Sequence, residues 1–324
     1  MNTAKVLENV KAMGVLRLFV TVSFYGILIT GFFLNLLIFP FYMYVYKKNK
    51  ENDGTTPLSP VTNHFYKMVR TVYALPMCSI VIYILKTFIA VENPVIGDLL
   101  MDIIYVFLYI MYLIIQVYHL LIFLLAVGRF LLYFFPKTKE TVLSAQNILQ
   151  RKVKYIYALF IVKDFIFLLC LEIGNSIGSK RRVELAKNCY AAIFFSINLL
   201  IIISAILYIP IVRSVGKLAI VLSAKQSKPQ KYILWQTMIV FIFKMVTSFV
   251  FIDFFLDKAA VTFELIPYII LTDIVITPLI IQISYLGFNK RNIGILLSTL
   301  KILPFSNCLA RKTSTVHPMR RVIQ

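Results

Sequence analysis

The stretch LLMDIIYVFLYIMYLIIQVYHLLIFLLAVGRFLLYFFP, from Leu99 to Pro136, decides the fold class of this chain. About 27 residues separate its Asp102 from its Arg129, which corresponds to roughly 40 Å of helix, enough to cross a bilayer with its interfaces. Its polar side chains recur every three or four residues and therefore share one helical face. They are Asp102, Tyr105, Tyr109, Tyr112, Gln116 and His119. Because lipid offers such groups no partner, the pattern predicts a central helix whose polar stripe faces the protein interior.

The composition is that of a polytopic membrane protein. Hydrophobic residues make up 60% of the chain, more than in an ordinary soluble domain. The formal charge of +20 does not indicate nucleic-acid binding, because Lys and Arg accumulate in the cytoplasmic loops of membrane proteins. The 4 cysteines are too few for a disulfide scaffold, and no Cys/His spacing indicates a metal. We expect no metal and no cofactor.

Seven apolar runs are each close to the length that a spanning helix requires. They lie at about 18–46, 66–90, 99–136, 153–171, 190–212, 233–256 and 265–286. The sequence predicts an all-α membrane protein with a seven-transmembrane helix bundle over residues 18–287. Residues 1–17 would precede it, and residues 288–324 would hold an amphipathic helix and a basic tail. In that helix Ile293, Leu296, Leu297 and Leu300 share one face.

The distribution of Lys and Arg predicts the orientation. With the N-terminus outside, about 23 of these residues lie in cytoplasmic segments and about eight in outer ones. Residues 1–17 are therefore expected to be extracellular, and residues 288–324 cytoplasmic.

Four segments resemble a known receptor family. They are NLLIFPFYMYVYKKNKEND from Asn35, PVTNHFYKMV from Pro60, LLAVGRFLLYFFPKTKE from Leu124 and ITPLIIQISYLGFNKRN from Ile276. With the spacing of the spans, they resemble the nematode serpentine receptor class zeta family of candidate chemoreceptors. The resemblance implies a multi-pass chemosensory receptor of the plasma membrane that is coupled to heterotrimeric G proteins.

The ligand pocket is expected in the outer half of the bundle. Tyrosines suit this task, because the ring is buried against apolar groups while the hydroxyl orients a ligand. The candidates on the third span are Asp102, Tyr105, Tyr109 and Tyr112. Three residues of other spans complete the predicted ligand-binding site: Lys86, near the outer end of the second span, Lys244 of the sixth span and Asp273 of the seventh.

Charged residues inside the spans need a partner or a wet cavity, since each costs roughly 2.5–3.5 kcal/mol on insertion scales. Lys163 and Asp164 lie halfway along the fourth span. Lys244 of the sixth span and Asp273 of the seventh lie at similar depths, and the lysine stem can bridge the difference. We therefore predict a Lys244–Asp273 pair, which is either purely structural or responsive to ligand.

Basic and aromatic residues are predicted to form a rim at the cytoplasmic side. They are Arg129, Tyr133, Lys137, Lys217 and Lys225. This rim suits the surface of a G protein and suits anionic membrane lipids equally well.

A second outer loop is expected between the fourth and fifth spans. Its Lys180, Arg181 and Arg182 either attract anionic ligands or are simply solvated. Cys170 and Cys189 flank the loop, and a disulfide between them would close it.

Two other functions use similar features. A secondary transporter also carries intramembrane charges, but the chain shows no inverted repeat. A ligand-gated channel needs a polar pore-lining face, whereas one helix carries most of the polar stripe here. An enzyme is least favoured, because His64, His119 and His317 do not cluster and no nucleophile motif occurs. The expected partners are a small-molecule ligand, a heterotrimeric G protein and membrane lipids.

Overall fold

The computed structural model describes residues 3–54, 59–89, 93–219, 235–245, 262–287 and 290–302. These residues form helices almost throughout, and the described ranges contain no strand. The helices are α1 (Thr3–Gly54), α2 (Ser59–Ile89), α3 (Pro94–Phe134), α4 (Lys139–Ser176), α5 (Lys180–Ala219), α6 (Trp235–Met245), α7 (Thr262–Gly287) and α8 (Lys290–Ile302). The predicted all-α class is confirmed.

Five of these helices, α1, α2, α3, α5 and α7, are long and apolar enough to cross a membrane. The other two predicted spans fall on α4 and α6. In α4, Lys163, Asp164 and the flanking Lys154 and Glu172 raise the polarity of the span. In α6 the structure describes only part of the predicted apolar run.

α3 is the centre of the bundle, as its sequence predicts. It contacts α2, α4, α5 and α7, and 72% of its most apolar segment is buried. The main core lies around its middle and inner part, where Tyr118 and Ile122 pack with Tyr42 of α1 and Phe65 of α2. The amide of Gln236 in α6 donates a hydrogen bond of 2.6 Å to the hydroxyl of Tyr118.

α1 and α7 are joined by a polar contact at the proline of α7. Pro278 lacks an N–H and so disrupts the helical hydrogen bonds around it. The Asn35 amide nitrogen donates a 2.7 Å hydrogen bond to the carbonyl of Val275. The Gln282 amide nitrogen in turn donates to the side-chain oxygen of Asn35 at 2.9 Å. These two hydrogen bonds give the Asn35 side chain and the Gln282 amide nitrogen partners inside the membrane.

Gly31 allows α1 to approach α7 closely. A Cβ at this position would lie 2.8 Å from Cγ1 of Val275. Gly31→Ala is therefore expected to destabilise the protein by about 1–3 kcal/mol relative to Gly26→Ala, because Gly26 has no atom within 4 Å of an added Cβ. Both substitutions share the gain in helix propensity. The melting temperatures of the two purified variants test this, and equal values would contradict it.

The chain passes from α4 to α5 through a tight turn and not through the expected loop. Ile177 to Ser179 make the turn, in which Gly178 adopts a φ of 68° and its N–H bonds the carbonyl of Asn175 at 2.9 Å. Such a left-handed glycine is a common way to end a helix. The prediction of a loop was wrong, because the polar residues here extend the helices beyond the apolar spans.

The predicted helix after the seventh span is present as α8, and a buried asparagine attaches it to the bundle. The Asn292 amide nitrogen donates to the carbonyl of Tyr285 in α7 at 2.7 Å. Its side-chain oxygen accepts a 2.7 Å hydrogen bond from Asn49 in α1. The orientation of α8 is therefore fixed by contacts with two other helices, in addition to its apolar face.

Candidate functional site

The polar stripe of α3 faces the interior over only part of its length. Tyr112, Gln116 and His119 are buried, as predicted. Asp102 is exposed, and the exposed fraction of Tyr105 is 59%. The predicted inward orientation of these two outer residues was therefore wrong. Helical periodicity defines a shared face, but neighbouring helices cover that face only from about Tyr112 inward, and Tyr109 is still partly exposed.

A polar cluster of α3, α4 and α5 occupies the point where the stripe becomes buried. The Tyr109 hydroxyl donates to Oδ2 of Asp164 at 3.1 Å. The hydroxyls of Tyr112 and Tyr190 are hydrogen-bonded at 2.7 Å. Lys163 Nζ lies 2.6 Å from Oδ1 of Asp164, so the two mid-span charges of α4 form an ion pair. We call these five residues the tyrosine cluster.

The ammonium group of Lys163 is held by charge and by aromatic faces. It lies 4.7 Å from the ring centroid of Tyr190 and 5.7 Å from that of Tyr112. Such cation–π contacts strengthen where water is excluded. Its contact with Asp164 is outside hydrogen-bond geometry, and Nζ is buried without a hydrogen-bond partner among the described residues. This ammonium group therefore retains N–H donors for an acceptor.

A cavity of about 360 Å³ lies between α4 and α5, next to the tyrosine cluster. We call it the α4–α5 cleft. This volume is within the range of small-molecule sites. Most of its lining is apolar, and its polar members include Lys163, Arg182 and Tyr190. Sequence reasoning had placed the pocket between the second, third, sixth and seventh spans. Lys86, in the last turn of α2, is partly exposed and does not line this cleft.

The two cysteines that were expected to flank a loop line this cleft as free thiols. Cys170 of α4 and Cys189 of α5 are both exposed and unbridged. The predicted disulfide is therefore contradicted. The loop that it would have closed does not exist, since Lys180, Arg181 and Arg182 lie in the first turn of α5.

The predicted Lys244–Asp273 pair is present deeper in the bundle. The two side chains are buried and form a salt bridge between α6 and α7. Lys244 Nζ also donates to the side-chain oxygen of Asn198 in α5 at 2.6 Å. We call these three residues the ion-pair layer. They connect three helices at one level of the bundle.

A small cavity of about 10 Å³ adjoins the ion-pair layer. Its lining includes Asp273, Asn198, Gln116 and His119, together with Tyr112 of the tyrosine cluster. The amide group of Gln116 and Nε2 of His119 are buried and have no hydrogen-bond partner within the described part of the chain. Tyr112 therefore belongs to both polar regions, and α3 joins them physically.

The comparison with protein families agrees with this architecture. Residues 25–290 match the family model described as serpentine type 7TM GPCR chemoreceptor Srz. The chain belongs to the Srz family. It is therefore a multi-pass membrane protein of a seven-transmembrane receptor class, consistent with the plasma membrane, and its family is one of chemoreceptors and not of enzymes. No curated protein and no solved structure matches this Srz receptor.

The structure describes part of the predicted cytoplasmic rim of this Srz receptor. Arg129 and Tyr133 are half-buried in the last turns of α3, and the exposed Lys137 follows in a short 3-10 helix. The backbone at Lys217 belongs to α5, but its side chain lies outside the described residues, as does the whole of Lys225. The rim as a surface for G protein or anionic lipid stays a prediction.

Proposed function

We propose that this protein is a chemosensory receptor that binds a small ligand in the outer half of the bundle and signals to a heterotrimeric G protein. The observation that carries the proposal is the tyrosine cluster, in which a mid-span ion pair lies among three phenol groups. Two of its members, Lys163 and Tyr190, line a cavity of ligand size. Family membership supports the receptor class.

The tyrosine cluster has the chemistry of a recognition site. Tyrosine rings supply rigid apolar surface, and their hydroxyl groups supply orientation. The ion pair of Lys163 and Asp164 adds both a donor and an acceptor at membrane depth, where polar contacts are scarce. We therefore assign ligand recognition to Tyr109, Tyr112 and their α4 and α5 partners. Asp102 and Tyr105 lie on α3 outward of the tyrosine cluster, and they are not part of the proposed site.

Signalling would proceed as a shift between two arrangements of the bundle. Tyr112 contacts Tyr190 in the tyrosine cluster and lines the small cavity beside Asp273. A ligand that moves Tyr112 would therefore alter the surroundings of the salt bridge between α6 and α7. In this mechanism Lys244 and Asp273 respond to the ligand without touching it.

The cytoplasmic rim is the proposed surface for the G protein. Arg129, Tyr133 and Lys137 follow one another at the inner end of the central helix α3, so a movement of α3 would reach them directly. Anionic lipid headgroups would bind the same basic side chains.

Tyr109→Phe tests the proposed ligand site. The full-length receptor would be expressed with a promiscuous G protein and screened against a chemical panel. We expect the substitution to weaken the response to a hit by about tenfold, because it removes a hydrogen bond to a charged group worth about 1.5–3 kcal/mol. The matched control is Tyr105→Phe, one turn away on the same helix, which should leave the response unchanged. Equal effects of the two substitutions would contradict this site.

A further inference from the structure

The α4–α5 cleft faces outward from the bundle. Ile166 and Ile173 of α4 and Leu185 of α5 line it, and more than half of each of these side chains is exposed. In a membrane such exposed apolar side chains face lipid and not water. A molecule dissolved in the bilayer therefore reaches the cleft without passing through the centre of the bundle.

The ends of the cleft differ in charge. At the outer end Arg182, in the first turn of α5, is exposed and carries a full positive charge. At the deep end Lys163 is already neutralised by Asp164 but keeps unused N–H donors. The outer end therefore suits an anion, and the deep end suits a neutral hydrogen-bond acceptor.

The spacing of these two ends sets the length of a ligand that would satisfy both. Arg182 and Tyr190 are eight residues apart on α5, which is roughly 12 Å along the helix axis. Lys163 Nζ lies over the ring of Tyr190. The wall between the two ends is apolar, with Phe167 and Leu185 among its members.

We propose that the α4–α5 cleft binds a single-chain anionic amphiphile, with its carboxylate at Arg182, its chain along the cleft and a neutral oxygen at Lys163. The ligand enters from the outer leaflet of the bilayer. A planar guanidinium group binds a carboxylate through two parallel hydrogen bonds, which favours an acid over its ester. A volume of about 360 Å³ is near the lower limit for small-molecule sites and favours one chain over a two-chain phospholipid. This inference rests on the proposed function, because it names the ligand class of the same site.

Cys170 and Cys189 make the binding measurable without any signalling assay. Both line the cleft as exposed thiols, whereas the exposed Cys78 lies on α2 and serves as an internal control. The full-length receptor in lipid nanodiscs would be treated with a membrane-permeant maleimide, and modification would be followed at each cysteine by mass spectrometry. The probes are 10-hydroxydecanoic acid, decanoic acid and the methyl ester of the first.

We expect 10-hydroxydecanoic acid to slow modification of Cys170 and Cys189 at concentrations that leave Cys78 unaffected. The ester should need about tenfold more to protect, because it lacks the charge-assisted contact with Arg182. Arg182→Gln should abolish the preference for acid over ester, and the matched control Arg181→Gln, which is also exposed but does not line the cleft, should retain it. Lys163→Met should abolish the preference for the hydroxylated acid over decanoic acid.

Three results would overturn the proposal. They are no protection of the two cleft cysteines, equal protection of Cys78, or a preference for acid over ester that persists in Arg182→Gln. Protection by phosphatidylglycerol in the nanodisc at least as strong as that by the probes would assign the cleft to bulk anionic lipid and would also overturn it. The melting temperature of each purified variant reports whether it is folded. If a panel ligand activates the receptor without protecting Cys170 or Cys189, the proposed function stands and this inference is wrong.

Discussion

Asp273→Ala is expected to reduce the folded receptor at the cell surface to about a tenth or less, because breaking a buried ion pair costs about 3–5 kcal/mol. The substitution removes the carboxylate that faces the buried ammonium group of Lys244, which keeps its hydrogen bond to the side-chain oxygen of Asn198. Surface labelling of intact cells measures the effect. Asp102→Ala removes a carboxylate that is exposed on α3 and is the matched control.

A double variant distinguishes the stranded charge from a general loss of packing. Lys244→Met with Asp273→Leu replaces both charges by apolar groups of similar volume, which is often neutral or stabilising. Surface expression should therefore recover in the double variant. If Asp273→Ala were expressed at the normal level, or if the double variant were no better than the single one, the pair would not have the stabilising role argued here. A double variant that is expressed but unresponsive to ligand would indicate that the pair also acts in signalling.

Asn35→Leu is expected to produce the second-largest loss of stability. Removing the partner of a polar group inside the bundle costs about 1–3 kcal/mol, and two groups lose a partner here, so we expect a total of at least about 2 kcal/mol. These groups are the carbonyl of Val275 and the amide nitrogen of Gln282, which both bond the Asn35 side chain. Because they lie on α7 near Pro278, the loss acts on the contact between α1 and α7.

The melting temperature of purified Asn35→Leu receptor measures this effect. Asn188→Leu, an exposed asparagine of α5, is the matched control and should change the melting temperature little. Asn35→Leu combined with Gln282→Leu removes two polar partners together and should be less destabilised than the sum of the two single variants, since paired groups are not additive. Additive losses would show that the two side chains stabilise the bundle independently.

The fold was largely predictable because the membrane imposes simple requirements on a sequence. Long apolar runs must be helices, and a charge inside one of them must find a partner. These two requirements predicted the central position of α3 and the salt bridge of Lys244 with Asp273. The spacing of apolar residues on one face predicted the amphipathic helix α8. The resemblance to the class zeta receptors, read from four segments, was confirmed by the family match.

The candidate site was predicted only in part, because the spacing of polar residues along one helix does not show which residues of other helices lie opposite them. The sequence singled out Lys163 and Asp164 as charges that need a partner, and it placed Tyr109 and Tyr112 on one stripe. It did not identify Tyr190, a tyrosine of an apolar helix that became important only by its position opposite Tyr112. The exposure of Tyr105 was missed for the same reason.

The sequence by itself determined that the apolar segments are helices suited to a membrane and which buried charges must be paired, because these properties follow from the transfer of each residue out of water. Only the tertiary structure decided that Cys170 and Cys189 remain free, that Arg182 lies in the first turn of a helix and that a cleft lies between α4 and α5. Those properties depend on the tight turn at Gly178 and on the approach of two helices. Distances between helices are set by packing, which the order of residues in any single helix does not specify.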